Sequence, residues 1–280
     1  MSKHIITSTI LCNFKKHLHE NEKSRATIEK YLRDIGKFAV YAGNAAVDKD
    51  TVLDYKAALA REYALASANS MLAALNAFFR FAEWYDCCVK QFKLQREAFC
   101  PEEKELTRDE YVALIRAADN KNNKRLSLLL QTICGTGIRV SELCFITADA
   151  VRKGEAVVSC KGKTRRILIV SALRKKLLSY AKERGISRGM IFVTKNGNPM
   201  SRTNIWTEMK RLCEAAGVSP KKVFPHNLRH LFARTFYKME KDIVKLADIL
   251  GHSNINTTRI YTVSTGTEHR RKMEKMRLIL

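Results

Sequence analysis

Apolar side chains recur every three or four residues through most of the first ninety positions, which is the spacing of one face of an α-helix. The pattern is clearest from Ile28 to Phe38, where Ser24 or Thr27 can cap the first turn. Three further segments repeat it: about Ile5–His19, the residues after Asp48 or Asp50, and Met71–Ala82. Because helices with one apolar face must bury it against other elements, residues 1–97 are predicted to form a bundle of about four helices.

The helical pattern lapses over residues 98–106, which contain Pro101 and the acidic run Glu102-Glu103-Lys104-Glu105. Thr107 and Glu110 then have the spacing of a capping box, in which each residue satisfies a free backbone N–H at the start of a helix. We therefore expect residues 98–106 to be a linker and residues 107–280 to be a second domain.

The second domain combines helical and β-type patterns. Two β-rich runs, Ala156–Cys160 and Arg166–Val170, flank the basic residues 161–165 and predict a hairpin with a basic tip. Helices are expected up to about Ala118, over 126–134, after the Gly135-Thr136-Gly137 turn, over 171–184, over 201–216 and from His226, with a short strand at 190–193. The predicted fold class is mainly α with a small β-hairpin: a helical bundle followed by a mixed α+β domain.

The charge of the chain is concentrated in that second domain. The formal net charge is +23, yet residues 1–105 hold 16 Lys or Arg against 14 Asp or Glu, whereas residues 106–280 hold 35 against 14. Such a bias indicates a polyanionic partner and is more than a generally solvated surface requires. Nucleic acid is favoured over a membrane, since no basic amphipathic segment has a clear lipid-facing side and no apolar run is long enough to span a bilayer. The N-terminus lacks a secretory pattern, so a cytoplasmic location is expected.

The cysteines and histidines do not predict a metal site. The eight cysteines include no C-x-x-C pair, which disfavours a zinc ribbon or a thioredoxin-like motif. His226 and His230 have helical spacing and can in principle bind a metal together with His252, but no acidic or cysteine ligand lies nearby in the sequence. No metal or cofactor is therefore expected.

Four stretches instead offer groups for attack on a phosphodiester. Arg139 follows a Gly-rich turn in an apolar segment, where Glu142 can hold it as a purely structural ion pair or as part of a site. Lys161 lies at the predicted hairpin tip, either as a surface residue or as a proton donor to a leaving oxygen. His226 and Arg229 share one face of a first helical turn, a position that suits an anion, although a His cap with a surface Arg is the plainer interpretation.

The fourth stretch, Leu246–Thr262, carries a histidine and a tyrosine. Gly251 is placed to cap a helix, so that His252 leaves it on a loop. Tyr261 is the candidate nucleophile, but a phenol with an ordinary pKa of about 10 needs nearby cations or a base to react at neutral pH. Taken alone, these residues are a weak signal, and a surface histidine with a core tyrosine is the plainer interpretation.

Six of these residues, taken in chain order, resemble the catalytic set of the tyrosine recombinase family, which includes phage integrases and Xer-type recombinases: Arg139, Lys161, His226, Arg229, His252 and Tyr261. The segments TGIRVSEL, CKGKTRR, HNLRH and LGHSNINTTRIYT each look like motifs of that family. The likeness runs from about residue 107 to residue 262, and the helical N-terminal segment is similar in size and type.

The resemblance implies a role for each residue. Tyr261 would attack the scissile phosphate to form a 3′-phosphotyrosyl link and release a 5′-hydroxyl, and strand exchange would pass through a Holliday junction. Arg139, Arg229 and His252 would bind the non-bridging oxygens and offset the charge of the transition state. Lys161 would protonate the 5′-oxygen, and His226 would assist proton transfer at the tyrosine. Glu142 would support the site, and neither ATP nor a metal would be needed.

The resemblance also implies partners. The N-terminal bundle would be a DNA-binding domain that clamps double-stranded DNA together with the catalytic domain. Because no long extra N-terminal region is present for distant DNA sites, short inverted repeats are the expected target. The tail, residues 262–280, would either fold back on its own core or dock into a neighbouring protomer to link four subunits in a ring.

Three other functions are weighed against recombination. A type IB topoisomerase uses a tyrosine with similar basic residues, but the short chain and the motif spacing favour a recombinase. A DNA-binding accessory protein without catalysis is disfavoured because all six positions hold competent residues. A metal nuclease would need an acidic cluster, which is not apparent. Integration, excision, inversion and chromosome-dimer resolution remain open as the biological role.

Overall fold

The computed structural model describes residues 4–43, 46–94, 103, 105–160, 163–261 and 266–276. The chain divides into two compact units, residues 1–96 and residues 97–280. Lys161, at the predicted hairpin tip, lies outside the described residues. Across the described ranges, no helix combines the length and the apolar composition needed to cross a membrane.

The described residues of the N-terminal unit form four α-helices and a short 3₁₀ turn. They are α1 (Ser8–Glu20), α2 (Arg25–Ala42), α3 (Lys49–Glu62), α4 (Leu65–Phe81) and the turn Tyr85–Cys87. The predicted helical bundle is therefore confirmed. Ser24 rather than Thr27 caps α2, and Asp48 rather than Asp50 caps α3, because each side chain accepts the N–H three residues ahead. Helix α1 begins later than predicted and α4 begins earlier.

Two buried asparagines hold the segment that leaves this bundle. Asn76 donates to the carbonyl of Val89 at 2.8 Å and accepts its N–H at 3.0 Å. Asn69 makes the same pair of bonds with Phe92, at 2.9 and 2.7 Å. A side-chain amide that pairs with both the N–H and the carbonyl of one residue takes the place of a neighbouring strand, so these buried polar groups carry little desolvation penalty.

The C-terminal unit is mainly helical. Its helices are α5 (Arg108–Asn120), α6 (Lys124–Thr136), α7 (Ala148–Lys153), α8 (Ser171–Glu183), α9 (Arg202–Lys210), α10 (Cys213–Ala216), α11 (Pro225–Glu240), α12 (Ile243–Leu250) and α13 (Gly266–Met276). The Thr107–Glu110 capping box is confirmed, and α11 begins at Pro225, one residue before the predicted start at His226. Helix α6 packs against α5, α8 and α11. Its Leu129, Leu130 and Ile133 are fully buried, so α6 is the central helix of this core.

The predicted hairpin is present, but its second strand begins and ends earlier in the chain than predicted. Strand β1 (Glu155–Cys160) pairs antiparallel with β2 (Lys163–Leu168), and Val158 lies opposite Arg165. The prediction that the second strand begins at Arg166 is therefore wrong, since Arg165 lies within the strand and shares the buried face of Val158. The prediction of a short strand at 190–193 is also wrong. This segment instead makes two isolated β-bridges, Thr147–Met190 and Val193–Pro199.

Two predicted helices differ in form. The segment after Gly137 is an extended Arg139 followed by a 3₁₀ helix, Val140–Phe145, because the Glu142 side chain bonds the Arg139 backbone and closes a tight turn. The helix predicted over 201–216 is broken at Arg211 and Leu212 into α9 and α10. Gly217 ends α10 with a left-handed conformation, as expected.

Gly137 is the glycine on which the geometry of the site depends most. It ends α6 with φ of +64°, and an added Cβ would lie 2.6 Å from Cδ1 of Phe232. Gly217 has the same φ, at +63°, but a Cβ there would meet nothing within 4 Å. Gly217→Ala should therefore cost about 1 kcal/mol of backbone strain. Gly137→Ala should cost roughly 1–3 kcal/mol more through overpacking.

The midpoints of urea unfolding of the two alanine variants provide the measurement. Equal midpoints would show that Phe232 moves aside without cost, and that the contact with Gly137 does not constrain this end of α6.

Candidate functional site

The candidate residues come from distant parts of the C-terminal unit and converge on one cavity of about 730 Å³. Four of the six predicted site residues line it: Arg139, His226, Arg229 and His252. Tyr261 stacks on His252, with ring centroids 5.9 Å apart. Lys161 belongs to the part of the chain that is not described.

Arg229 is the buried centre of the site. It projects from the first turn of α11, and only 2% of it is exposed. Its guanidinium donates to the carbonyl of Gly137 at the end of α6 and, at 2.7 Å, to the carbonyl of Leu250 at the end of α12. Helix C-termini carry partial negative charge, which offsets the burial of this cation. Burial, together with the charge of Arg139, lowers the pKa of Arg229 to about 10, so the side chain stays protonated at neutral pH.

Arg139 is held by Glu142 on one side and by the helix α12 cap on the other. Its Nη1 donates to Oε1 of Glu142 at 2.9 Å, its backbone N–H donates to Oε2 at 3.0 Å, and its Nη2 donates to the carbonyl of Gly251 at 3.2 Å. Burial alone raises the pKa of Glu142, but the bonds from Arg139 and the charge of Arg165 outweigh it and hold that pKa below its ordinary value. Arg139 therefore forms the structural ion pair with Glu142 and also lines the site, so both interpretations of the sequence apply to it.

His252 is positioned by the end of α12. Gly251, at φ +63°, forms the cap in which its own N–H bonds the carbonyl of Asp248 and the N–H of His252 bonds the carbonyl of Ala247. The Nε2 of His252 lies 3.0 Å from Nη2 of Arg229, and its Nδ1 lies 2.9 Å from Oγ1 of Thr258. Because a guanidinium only donates, Nε2 must accept, and the ring proton must therefore be on Nδ1 and point to Thr258.

Tyr261 lies in a short 3₁₀ turn, Arg259–Tyr261, and is 3% exposed. It packs into an apolar cluster with Ala233, Leu246 and Leu250. Its side chain also hydrogen-bonds the guanidinium of Arg229. The tyrosine therefore has an apolar body and a polar end that contacts the buried cation.

Two further histidines flank the tyrosine on α11. His230 contacts Tyr261 edge-on, with ring centroids 4.6 Å apart, and His226 contacts His230 at 4.5 Å. Partial loss of hydration and the charges of Arg229 and Arg139 lower the pKa of His226, which keeps the ring neutral at pH 7. Burial, followed by the electrostatic effects of His226, Arg234 and Arg229, lowers the pKa of His230 to about 4.

The prediction of site residues from the sequence missed three positions. Thr258 is fully buried, and its hydroxyl accepts the Nδ1 proton of His252, whose tautomer is set by Arg229. His230 separates His226 from Tyr261, and its position four residues after His226 was the available signal. Arg165 donates to Oε2 of Glu142 at 2.5 Å. Arg165 would have been found if the alternation of buried and exposed side chains in the second strand had been extended towards the N-terminus, from Arg166 to Lys163.

His226, His230 and His252 do not form a metal cluster here. Within the described ranges, the only group of three potential ligands close enough to share an ion is His4, Asp86 and Cys87, in the N-terminal unit. Burial raises the pKa of the Cys87 thiol to about 11. A protonated thiol is a poor metal ligand, so this group does not suggest a metal site either.

The buried histidine predicts loss of stability in acid. Burial, followed by the charges of Arg229, Arg139 and Arg165, lowers the pKa of His252 to about 4. Its ordinary pKa in an unfolded chain is about 6.5. Since the folded value is the lower one, neutral His252 contributes stability above pH 6.5 that is lost as the pH falls towards 4.

Urea unfolding at several pH values measures this effect. His252→Gln should reduce the acid loss between pH 6.5 and 4 by an amount on the order of 2–3 kcal/mol. His19→Gln, which changes an exposed histidine on α1, should leave the acid loss unchanged. A His252→Gln variant with the full acid loss would show that His252 is not protonated on unfolding.

Comparison with known proteins identifies both units. Residues 104–268 match the model of the phage integrase family, and residues 11–85 match that of the phage integrase N-terminal SAM-like domain. The chain is 32% identical over 285 residues to tyrosine recombinase XerA of Pyrococcus horikoshii, and the match covers 98% of this chain and 96% of that protein.

Solved structures agree with this result. A crystal structure of XerA recombinase is 25% identical, with a TM-score of 0.55, and the match covers 98% of this chain and 100% of that one. A lambda integrase tetramer bound to a Holliday junction has the same fold at 20% identity, with a TM-score of 0.73 and a coverage of 92% and 77%.

Proposed function

The chain belongs to the phage integrase family and is a tyrosine-type site-specific DNA recombinase, and we propose that Tyr261 is its nucleophile. The observation that carries the proposal is the buried contact of Tyr261 with Arg229, beside His252. A guanidinium at this position can bind the phosphate that the phenolic oxygen attacks.

The proposed step exchanges one phosphate ester for another. The phenolic oxygen of Tyr261 bonds to phosphorus at a DNA 3′ side, the bond from phosphorus to the 5′-oxygen breaks, and Lys161 gives that oxygen a proton. The phenolic proton leaves with the assistance of His226, whose lowered pKa keeps it neutral and able to accept a proton, although His230 lies between the two rings. A 5′-hydroxyl of the partner strand reverses the step, so no ATP is needed, and two such exchanges pass through a Holliday junction.

The phosphate would be bound by rearranging contacts already present. Arg229 and His252 bond each other in the DNA-free protein, through Nη2 and Nε2. Both can donate to a non-bridging oxygen only if this bond opens and His252 gains a proton on Nε2. The negative charge of the phosphate favours that proton, and Arg139, with its side chain 38% exposed, completes the clamp.

Double-stranded DNA with short inverted repeats is the proposed substrate. The excess of basic residues after position 105 suits phosphate contacts on both faces of a duplex. Residues 1–97 are proposed as a DNA-binding domain, residues 98–106 as the linker and residues 107–280 as the catalytic domain. The proposed place of action is the cytoplasm.

A denaturing gel tests the proposal. The protein is incubated in EDTA with DNA flanking its own gene, nicked near each candidate repeat so that the released strand diffuses away. A covalent protein–DNA band is expected on one site. If the flanks give none, the site is selected from random sequence. Relaxation of an unrelated plasmid would favour a type IB topoisomerase, and cleavage only with magnesium would contradict the mechanism.

The tail is proposed to link four protomers on DNA. Helix α13 exposes Met273 and Met276, at 68% and 60%. Apolar side chains exposed on a terminal helix suit a protein partner. Deleting residues 268–280 should reduce assembly of tetramers on DNA roughly tenfold or more, as measured by gel filtration with light scattering.

Point variants of the tail distinguish loss of the docking contacts from a general effect of removing residues 268–280. Met273→Asp with Met276→Asp should reproduce the deletion, whereas Glu274→Ala with Lys275→Ala, on the same exposed helix, should not. Tetramer assembly that survives the deletion would contradict docking in trans.

A further inference from the structure

Arg165 is a buried arginine that the proposed chemistry does not use. It lies in β2 opposite Val158, and its side chain is 13% exposed. Nη2 donates to Oε2 of Glu142 at 2.5 Å, and Nη1 donates to the carbonyl of Ile249 at 2.5 Å. A charge turned inward from a strand is costly unless it is paired. These two bonds pair Nη1 and Nη2, whereas Nε is buried without a hydrogen-bond partner among the described residues.

The two partners of Arg165 belong to the two phosphate-binding parts of the site. Glu142 also holds Arg139, and Ile249 precedes the cap that presents His252. Arg165 therefore bridges the hairpin to both parts at once. Strand β1 ends at Cys160 and β2 begins at Lys163, so Lys161 lies in the connection between them. Arg165 is the third residue of β2 and is therefore close in sequence to Lys161.

Gly251 shows how closely this bridge is packed. A Cβ at Gly251 would lie 2.4 Å from Cδ of Arg165, and its φ of +63° already disfavours other residues. The end of α12 and the Arg165 side chain thus lie in direct contact, and β2 cannot shift along α12 without breaking that contact.

We propose that Arg165 is a positioning residue for Lys161: by fixing β2 to Glu142 and to α12, it sets where the hairpin delivers its proton donor. The inference rests on the proposed role of Lys161 as the group that protonates the leaving 5′-oxygen. The bonds of Arg139 to Glu142 and to the Gly251 carbonyl do not involve Arg165. Loss of Arg165 is therefore expected to release the hairpin while these three bonds of Arg139 remain.

A sulfur leaving group separates these two effects. The site from the adduct experiment is made in two forms, with oxygen or with sulfur bridging phosphorus to the 5′-carbon. A thiolate, with a pKa near 8.5, leaves without a proton, so the sulfur ester does not need Lys161. Both forms still need the nucleophile and the phosphate clamp. First-order cleavage rates are measured at saturating protein.

Arg165→Gln should slow cleavage of the oxygen ester roughly 10- to 100-fold, the size expected for a misplaced catalytic group, and should slow the sulfur ester less than about threefold. Lys161→Ala should show the same pattern with a larger loss on oxygen, about 10²- to 10⁴-fold. The double variant should be no slower than Lys161→Ala alone, because Arg165 acts through that lysine.

Two further variants make the test specific. Arg166→Gln removes an arginine next along the strand whose side chain is 73% exposed, and it should leave the ratio of the two rates unchanged. Arg165→Lys keeps a positive charge beside Glu142 but cannot donate in two fixed directions. It should lose less oxygen-ester rate than Arg165→Gln and show the same rescue by sulfur.

Four results overturn the proposal. Equal losses on both esters would mean that Arg165 acts through Glu142 and the phosphate clamp, and an unchanged rate in Arg165→Gln would mean that it does not act. A wild-type rate in Arg165→Lys would mean that charge alone matters. A Lys161→Ala variant without rescue by sulfur would instead refute the proposed role of Lys161, and the inference with it. Thermal unfolding of each variant shows whether it is folded.

Discussion

Tyr261→Phe is expected to abolish the covalent adduct and to reduce strand cleavage by roughly 10⁴-fold or more, the scale seen when a nucleophile is removed. The substitution deletes only the phenolic oxygen, which no neighbour can replace. The ring should keep its place in the apolar cluster and its edge contact with His230. DNA binding should therefore change by less than about threefold, because the loss lies in the chemical step.

The measurement is the denaturing gel on nicked DNA in EDTA, together with a gel-shift titration on the same duplex. Tyr237→Phe is the matched control, since Tyr237 packs against the same apolar cluster and carries no role in the mechanism. It should form the adduct at close to the wild-type rate. An adduct in Tyr261→Phe would assign the nucleophile to another residue and remove the basis of the proposed function.

Arg229→Lys should have the second largest effect, on both stability and catalysis. The guanidinium contacts the carbonyls of Gly137 and Leu250, Nε2 of His252 and the side chain of Tyr261. A lysine cannot reach these groups together, and each carbonyl left buried without a donor costs roughly 1–3 kcal/mol. The catalytic rate should fall about 10²- to 10³-fold through loss of a charged donor to the transition state.

Urea unfolding and single-turnover cleavage at saturating DNA measure the two effects separately. Arg125→Lys is the control for burial, because Arg125 is a half-buried arginine that donates to the carbonyl of Val193 and pairs with Glu208 away from the site. It should lose stability but keep its cleavage rate per folded molecule. A wild-type rate in Arg229→Lys would show that a single ammonium group is sufficient and that the fixed geometry of the guanidinium is dispensable.

The sequence was most informative where the physical cause was local. The cap of α3 at Asp48, the Thr107–Glu110 capping box and the left-handed Gly251 each depend on a few neighbouring residues. The last two were predicted, and the first was narrowed to Asp48 or Asp50. The mainly α fold with one hairpin followed from the same local patterns and is confirmed. The chemical roles of the site residues rest on the resemblance and stay predictions until the adduct is tested.

The prediction failed where distant residues compete with local preference. Arg165 belongs to a basic run that suggests a loop, but Glu142 and the end of α12 pair its charge and make the buried strand position favourable. Arg139 was placed in a helix, whereas Glu142 bonds its backbone and holds it extended. Both errors come from one buried carboxylate, whose partners no local pattern identifies.

By itself, the sequence determined the helices, their caps, the basic second domain and the set of chemical groups available to attack a phosphodiester, because each is a property of residue type and spacing. Only the tertiary structure decided the burial, the protonation state and the mutual contacts of those groups. It made Arg229 a buried cation between two helix ends, gave His252 a neutral tautomer and a pKa of about 4, and placed Tyr261 against that cation. These properties depend on distances between residues far apart in the chain, and packing alone sets those distances.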